Sequence, residues 1–290
     1  MEYRHQCHVG DHGDALKHPV LAALIQSLAA QHASLNIIDT HAGTGCYDLT
    51  SAPDNHAAEF KEGVGYLWQN KGHLPRPFHA FLRTLSAFNP GEQLTLYPGS
   101  AALGFQQGRP QDAFHFSDIQ PDEAALLQTN IEQIRSDLHI SSTLSILAED
   151  GLKALPLSVG TDHSHHLIVI DPPYEQDEEY TAVIDALCEA YKQNEKVTAL
   201  IWYPLYTEDK STLILQRSLL ASKDQQLPVP IQAELRLRDP KDDDRLIGSG
   251  LLLFNPPAGM AAVVAEVLEY LHCELATKGE GYWQVKSLSC

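Results

Sequence analysis

Leu167-Ile168-Val169-Ile170 runs directly into Asp171-Pro172-Pro173-Tyr174: four apolar residues, then an acid, two prolines and an aromatic. The prolines fix φ and remove two N–H donors, which makes a rigid turn with free carbonyls. Such a turn suits an exocyclic amine. The Asp171 carboxylate and the Pro172 carbonyl can each accept one of the two hydrogens of an adenine amino group. Those bonds draw the nitrogen toward sp3 geometry and free its lone pair for in-line attack on a methyl group, with positioning supplying most of the rate. Tyr174 offers a face on which an extruded base stacks, worth roughly 1–3 kcal/mol. Simple termination of a buried strand is the weaker explanation, because it calls for no acid and no aromatic beside the prolines. Phe254-Asn255-Pro256-Pro257-Ala258 repeats part of the pattern. It has Ala258 where a ring is needed, and it reads as a strand end.

A second candidate is Asp39-Thr40-His41-Ala42-Gly43-Thr44-Gly45-Cys46-Tyr47-Asp48, which begins at the end of the strand read at Leu35–Asp39. Open α/β sheets bind ligands in turns at the carboxyl ends of their strands. Gly43 and Gly45 allow a backbone to approach a ligand closely, although a plain tight turn uses glycine as readily. The dinucleotide fingerprint needs a third small residue where this chain has Asp48, so NAD is disfavoured. S-adenosylmethionine (SAM) has no pyrophosphate and does not need that residue.

Such turns must be held by strands. Runs at 35–39, 113–117, 143–147, 167–170 and 198–203 read as buried strands, and amphipathic stretches at 122–138, 178–192 and 207–221 lie between them. Strand–helix alternation predicts a mostly parallel sheet covered on both faces. Further strands are predicted at 231–237, 250–254 and 282–288, with a helix at 260–271, so the sheet should finish in an antiparallel edge. Residues of about 52–95 break the rhythm with two helical stretches, 57–68 and 78–88, and read as a helical insertion between the first two sheet strands. No linker divides residues 1–290, which are expected to form one domain.

Length, 290 residues, and a 43% hydrophobic share suit a packed core. No apolar run approaches the ~20 residues of a membrane span. The start, Met1-Glu2-Tyr3-Arg4-His5, lacks the pattern of a signal peptide, and a cytoplasmic protein without membrane partners is expected. The five scattered cysteines include no CxxC pair, which argues against a disulfide framework or a structural zinc. Six of 15 histidines fall in the first 41 residues, but His8 and His12 have no clear third ligand, so no metal is expected. His163-Ser164-His165-His166 reads as a solvated loop, Glu175–Glu179 as a helix start, and Asp242–Asp244 as an exposed turn whose neighbours Arg238, Lys241 and Arg245 can touch phosphates. A net charge of −18 argues against loose electrostatic binding of nucleic acid, but leaves room for a local docking face. Recognition through a few contacts and base extrusion predicts a shallow salt dependence of RNA binding.

Taken together with Tyr3-Arg4-His5, His8-x-Gly10-Asp11-His12-x-Asp14, Lys17-His18, Tyr97-Pro98-Gly99-Ser100, Asp150-Gly151 and Gly248-Ser249-Gly250, the two turns resemble the bacterial ribosomal RNA large subunit methyltransferase J family over nearly the whole chain. The resemblance implies a class I, Rossmann-like SAM-dependent methyltransferase, with a seven-stranded type of sheet and a small helical insertion. It implies N6-methylation of one adenine of the large-subunit (23S) ribosomal RNA. By the same resemblance His18, His41, Ser100, Asp118, Asp150, Gly151 and Asp171 contact SAM. Asp171 is catalytic, Tyr174 and Pro172 hold the base, and Tyr3 reaches the RNA. The ribose role of Asp118 also makes physical sense, since a diol offers two donors to a carboxylate. A monomer is expected. DNA adenine methylation, protein glutamine methylation and a catalytically silent RNA-binding factor on the same fold are the competing functions. Asp171 in place of Asn disfavours the glutamine reading, the lack of a separate target-recognition domain disfavours DNA, and the intact Asp-Pro-Pro-Tyr turn disfavours the silent factor.

Overall fold

Apolar residues alternate their destination along each central strand, and that alternation builds two cores. In Leu35–Asp39 (β1), Leu35 and Ile37 join one buried cluster while Ile38 joins the other. In His165–Ile170 (β6), Leu167 and Val169 face the first cluster, and Ile168 and Ile170 the second. A strand buried on both faces is the expected occupant of a parallel sheet's centre. This computed structural model describes residues 9–50, 56–160, 164–207, 210–240 and 246–288, with the side chains of 56–58 left aside.

β1 and β6 pair in parallel with each other and with Ala113–Asp118 (β4), Thr143–Ala148 (β5) and Val197–Tyr206 (β7), in the order β5-β4-β1-β6-β7. Leu246–Phe254 (β9), Ile231–Arg236 (β8) and Tyr282–Ser287 (β10) continue the sheet as an antiparallel edge, in the order β9-β8-β10. The sheet therefore has eight strands. The seven-stranded pattern is extended by β10, which closes on the open side of β8. Cys46–Asp48 (β2) and Leu96–Pro98 (β3) form a separate antiparallel pair.

The first cluster packs His12–Gln31 (α1), His79–Phe88 (α4), Ser100–Gln107 (α5), Pro121–Leu138 (α6) and Met260–Leu275 (α10) onto one face of the sheet. Gly151–Ser158 (α7), Glu179–Gln193 (α8) and Ser211–Lys223 (α9) cover the other face. The expected insertion consists of His56–Lys61 (α2), Val64–Gln69 (α3), a 3-10 turn at Arg76–Phe78, and α4, all between β2 and β3.

Three points need correction. Expected as a buried strand, β5 is the partly exposed edge of the sheet. The helix α1 was not foreseen, because it is buried around most of its circumference and carries Pro19 inside, so no apolar stripe marks it. His165 and His166 are not a solvated loop: they open β6 and are 8% and 0% exposed. Asn36 and Asn194 lie within hydrogen-bond distance of the two ring nitrogens of His166, and Thr198 of His165, so these rings are held among polar neighbours inside the fold. The acidic turn at 242–244, with Lys241 and Arg245, lies outside the described residues. Among the described residues, no helix is long and apolar enough to cross a membrane, and no group of three or more His, Cys, Asp or Glu could hold a metal ion.

Candidate active site

Parallel strands bring their carboxyl ends to one edge, and each of four such ends here delivers an acid. Asp39 ends β1, Asp118 ends β4, Asp150 follows β5 and Asp171 follows β6. After β5 the chain crosses to the other side of β1, so β1 and β6 border the topological switch, where doubly wound sheets bind ligands. The Thr40 N–H, donating to the Val169 carbonyl at 3.2 Å, ties the two turns together. The competing Asn255-Pro256-Pro257-Ala258 lies at the opposite edge. β9 runs antiparallel, and Phe254 pairs with Ala199 near the start of β7.

The amino-terminal part of α1 completes the site from above the switch. Asp11 caps the helix by accepting from the N–H groups of Gly13 and Asp14. Lys17, 3% exposed, forms ion pairs with Asp171 Oδ2 and with Asp14, the latter at 3.2 Å. Burial, the largest influence on the Lys17 ammonium, works to lower its pKa; Asp171 and Asp14 outweigh it and hold the group above its ordinary range. The reading of single residues gave Lys17 no role. The available signal was a lysine inside Ala15-Leu16-Lys17-His18-Pro19-Val20, since a buried cation requires an anion. His18, beside it, is 1% exposed; its Nδ1 bonds the Tyr97 hydroxyl and its Nε2 lies 3.6 Å from Asp14.

Around the first turn the expected residues gather, several with structural duties. Gly43 adopts φ +55°, and a Cβ there would meet the Tyr47 hydroxyl at 2.2 Å, so the turn's own packing already demands glycine. Asp118 Oδ2 accepts from the Gly43 N–H at 3.1 Å, which fixes this turn to the end of β4. Asp150 caps α7 through the N–H groups of Leu152 and Lys153 and pairs with the Lys153 ammonium at 2.8 Å. Gly151 packs so tightly that a Cβ would lie 2.1 Å from the Thr40 carbonyl oxygen. Burial pushes the His41 imidazole down to about 4, against the upward pull of Asp171 and Asp150, so the ring is neutral at neutral pH.

Burial likewise pushes Asp39 up to about 6, although the Ser100 side chain and the His41 N–H lower it. A carboxyl whose folded value exceeds its unfolded one favours the fold most below the unfolded value, and the benefit fades as pH rises through about 6. Asp39→Asn should therefore gain on wild type as pH increases. The difference in urea-unfolding free energy between the two proteins is expected to shift by up to about 3 kcal/mol from about pH 4 to pH 8. A constant difference would show that Asp39 ionises normally.

In the second turn Asp171 keeps 13% side-chain exposure. Lys17 takes Oδ2, and no described group bonds Oδ1. Tyr174 sits at φ +52°, a conformation that costs a non-glycine residue about 1 kcal/mol or more and collects at functional sites. Its hydroxyl donates to the Trp202 carbonyl at 2.6 Å, its ring centroid lies 4.5 Å from that of Tyr180, and it is 6% exposed. A stacking partner can use only the small part of the ring left uncovered. The structure thus brings His18, His41, Ser100, Asp118, Asp150, Gly151, Asp171, Pro172 and Tyr174 to one edge of the sheet, whereas Tyr3 lies outside the described residues.

Comparison with known proteins accords with this arrangement. The family described as ribosomal RNA large subunit methyltransferase D, RlmJ, matches residues 32–288. The chain is 30% identical to ribosomal RNA large subunit methyltransferase J of Escherichia coli (strain K12) over 282 residues, 97% of this chain and 96% of that one. It is 28% identical to the protein of the same name from Haemophilus influenzae, covering 99% of this chain and 98% of the relative. Among solved structures, protein LPL1258 from Legionella pneumophila superposes with a TM-score of 0.82 at 26% identity, over 97% of this chain and 98% of that chain.

Proposed function

The chain belongs to the ribosomal RNA large subunit methyltransferase family RlmJ, and from that premise we propose that it methylates the N6 amine of one extruded adenine in large-subunit (23S) ribosomal RNA. SAM-dependent methylation of ribosomal RNA is the coarser activity that membership carries. The observation that supports the adenine amine is Asp171: Lys17 occupies one carboxylate oxygen, and no described group bonds the other, Oδ1, at the start of the Asp-Pro-Pro-Tyr turn.

The donor set fits SAM. Four acids follow the strands at this edge, His41 is held neutral there, and Lys17, the one buried Lys or Arg among the described residues, is already paired, so among those residues a positive sulfonium meets no repulsion and a pyrophosphate finds no cationic cradle. Asp118 would take the ribose hydroxyls, Asp150 and Gly151 the cofactor's adenine, and His18, His41, Ser100 and Asp171 the remainder. When bound, SAM supplies an electrophilic methyl group. Asp171 Oδ1 and the Pro172 carbonyl accept the two N6–H bonds and aim the nitrogen lone pair along the line of attack. The Tyr174 ring, locked by its hydroxyl, holds the base in plane. Transfer would break the methyl–sulfur bond, leaving the sulfur as a neutral thioether, as the N–C bond forms and the nitrogen becomes cationic. The carboxylate that already accepts its hydrogen stabilises that charge and is placed to take the proton.

Labelled methyl should pass from SAM to unmodified large-subunit ribosomal RNA, and digestion should give N6-methyladenosine. DNA and protein acceptors run in parallel should stay unlabelled. Label in any other nucleoside, or in DNA or protein alone, would overturn the proposal.

A further inference from the structure

One stretch of the helical insertion carries a charge opposite to that of the chain. Against a net charge of −18, residues 63–91 contain no Asp or Glu and hold Lys71, Arg76 and Arg83, with His73 and His79 between them. No other stretch of the sequence runs as long without an acid. Folding sorts the segment into two faces. Val64, Leu67, Phe78, Phe81 and Leu85 are buried, with Phe78 packed edge-on against Tyr270 of α10 at 5.3 Å. Lys71, His73, Arg76, His79 and Arg83 are all exposed. Arg76, His79 and Arg83 follow one another at i, i+3 and i+7 through the 3-10 turn and α4, which places them along one side. Pro75 and Pro77 restrict the backbone on either side of Arg76, and the Lys71 ammonium rests 3.7 Å from the centroid of the Trp68 ring.

Many cations elsewhere are neutralised. Arg109, Arg135, Lys153, Lys192, Lys210 and Arg217 each pair with an acid. Lys71, Arg76 and Arg83 enter no ion pair among the described residues. Solubility alone would be served by acids, as on the rest of the surface. Exposed, unpaired cations on a stretch with no acid of its own are what a phosphate backbone requires. The face is also attached to the site. The Val64 N–H donates to the Gly10 carbonyl at 2.8 Å, and the Phe81 ring lies 6.2 Å from that of His18, the neighbour of Lys17.

We propose that this face of the insertion docks the backbone of the substrate RNA, with Lys71, Arg76 and Arg83 each meeting a phosphate near the extruded base. The proposal rests on the RNA-methylation reading above, and its test separates the two. Binding of unmodified large-subunit ribosomal RNA is measured over a salt series for wild type and for the combined Lys71→Ala, Arg76→Ala, Arg83→Ala variant. Losing three contacts should weaken binding on the order of 100-fold at 0.1 M salt and make the logarithmic salt slope shallower by about 2 to 3. SAM affinity and kcat at saturating RNA should hold while KM for RNA rises, and the charge-preserving Lys71→Arg, Arg76→Lys, Arg83→Lys variant should bind like wild type. Unchanged affinity and slope in the alanine variant, with wild type still methylating the RNA, would overturn the docking surface and leave the methylation reading standing. Wild-type protein that neither binds nor methylates the RNA would overturn both.

Discussion

Asp171→Ala is expected to lower kcat for methyl transfer to ribosomal RNA by on the order of 1,000-fold, the scale seen when one preorganised group aimed at developing charge is removed. The carboxylate has two oxygens and, on the proposed mechanism, two tasks: Oδ2 engages Lys17 and Oδ1 takes the amine hydrogen. Alanine removes both. Asp171→Asn separates them, because a single amide oxygen can serve Lys17 or the substrate but not both, while the shape of the turn is kept. If it turns to Lys17, its NH2 faces the substrate amine, donor against donor, so a loss of at least about 100-fold is expected. The measurement is single-turnover transfer of labelled methyl at saturating SAM and RNA. Calorimetry of SAM binding alongside shows whether the cofactor contact expected of Asp171 is lost with it. An alanine variant that retains a tenth or more of the wild-type rate would mean that the reacting amine is held elsewhere.

What could be read from the sequence follows the kind of signal each feature leaves. The turn at Asp171 was legible because a short apolar run, an acid and two prolines are all local, and β6 delivers them as expected. The mostly parallel sheet with its antiparallel edge was legible because alternation of strands and helices leaves few architectures. The helix α1 was not, since burial on nearly every side erases the amphipathic stripe that sequence reading depends on. His165 and His166 misled for the converse reason: their partners, Asn36, Asn194 and Thr198, come from distant positions, and only the folded sheet brings them together. Gly43 was read as serving either a ligand's approach or a plain tight turn, and its conformation and the Tyr47 hydroxyl supply a reason for the second. Tyr174 was legible as an aromatic in place, but not its left-handed backbone or its hydrogen bond to Trp202.

Lys17→Met tests the part of the site that local reading could not reach. The variant should lose about 3–5 kcal/mol of unfolding free energy at neutral pH, the cost of removing one partner from a buried ion pair. Asp14 is 3% exposed and Asp171 keeps 13% side-chain exposure, so both carboxylates would stay largely shielded from water without their shared cation. The direction with pH follows from the charges. Wild-type Lys17 is held above its ordinary value of 10.5, so its stabilisation is complete below that value and is lost only as pH rises through the higher folded value. In the variant the uncompensated carboxylates are relieved by protonation, so the deficit should narrow as pH falls from about 8 to about 5 and never widen. Adding Asp171→Asn to Lys17→Met removes one of the two stranded charges and should recover part of the loss, which makes the pair strongly non-additive. Additive effects, or a deficit independent of pH, would mean that Lys17 contributes only the packing of its stem. Recovery of stability without recovery of methyl transfer in the double variant is the combination that fits both proposed roles: Lys17 would make an acid tolerable at the end of β6, and the acid would do the chemistry.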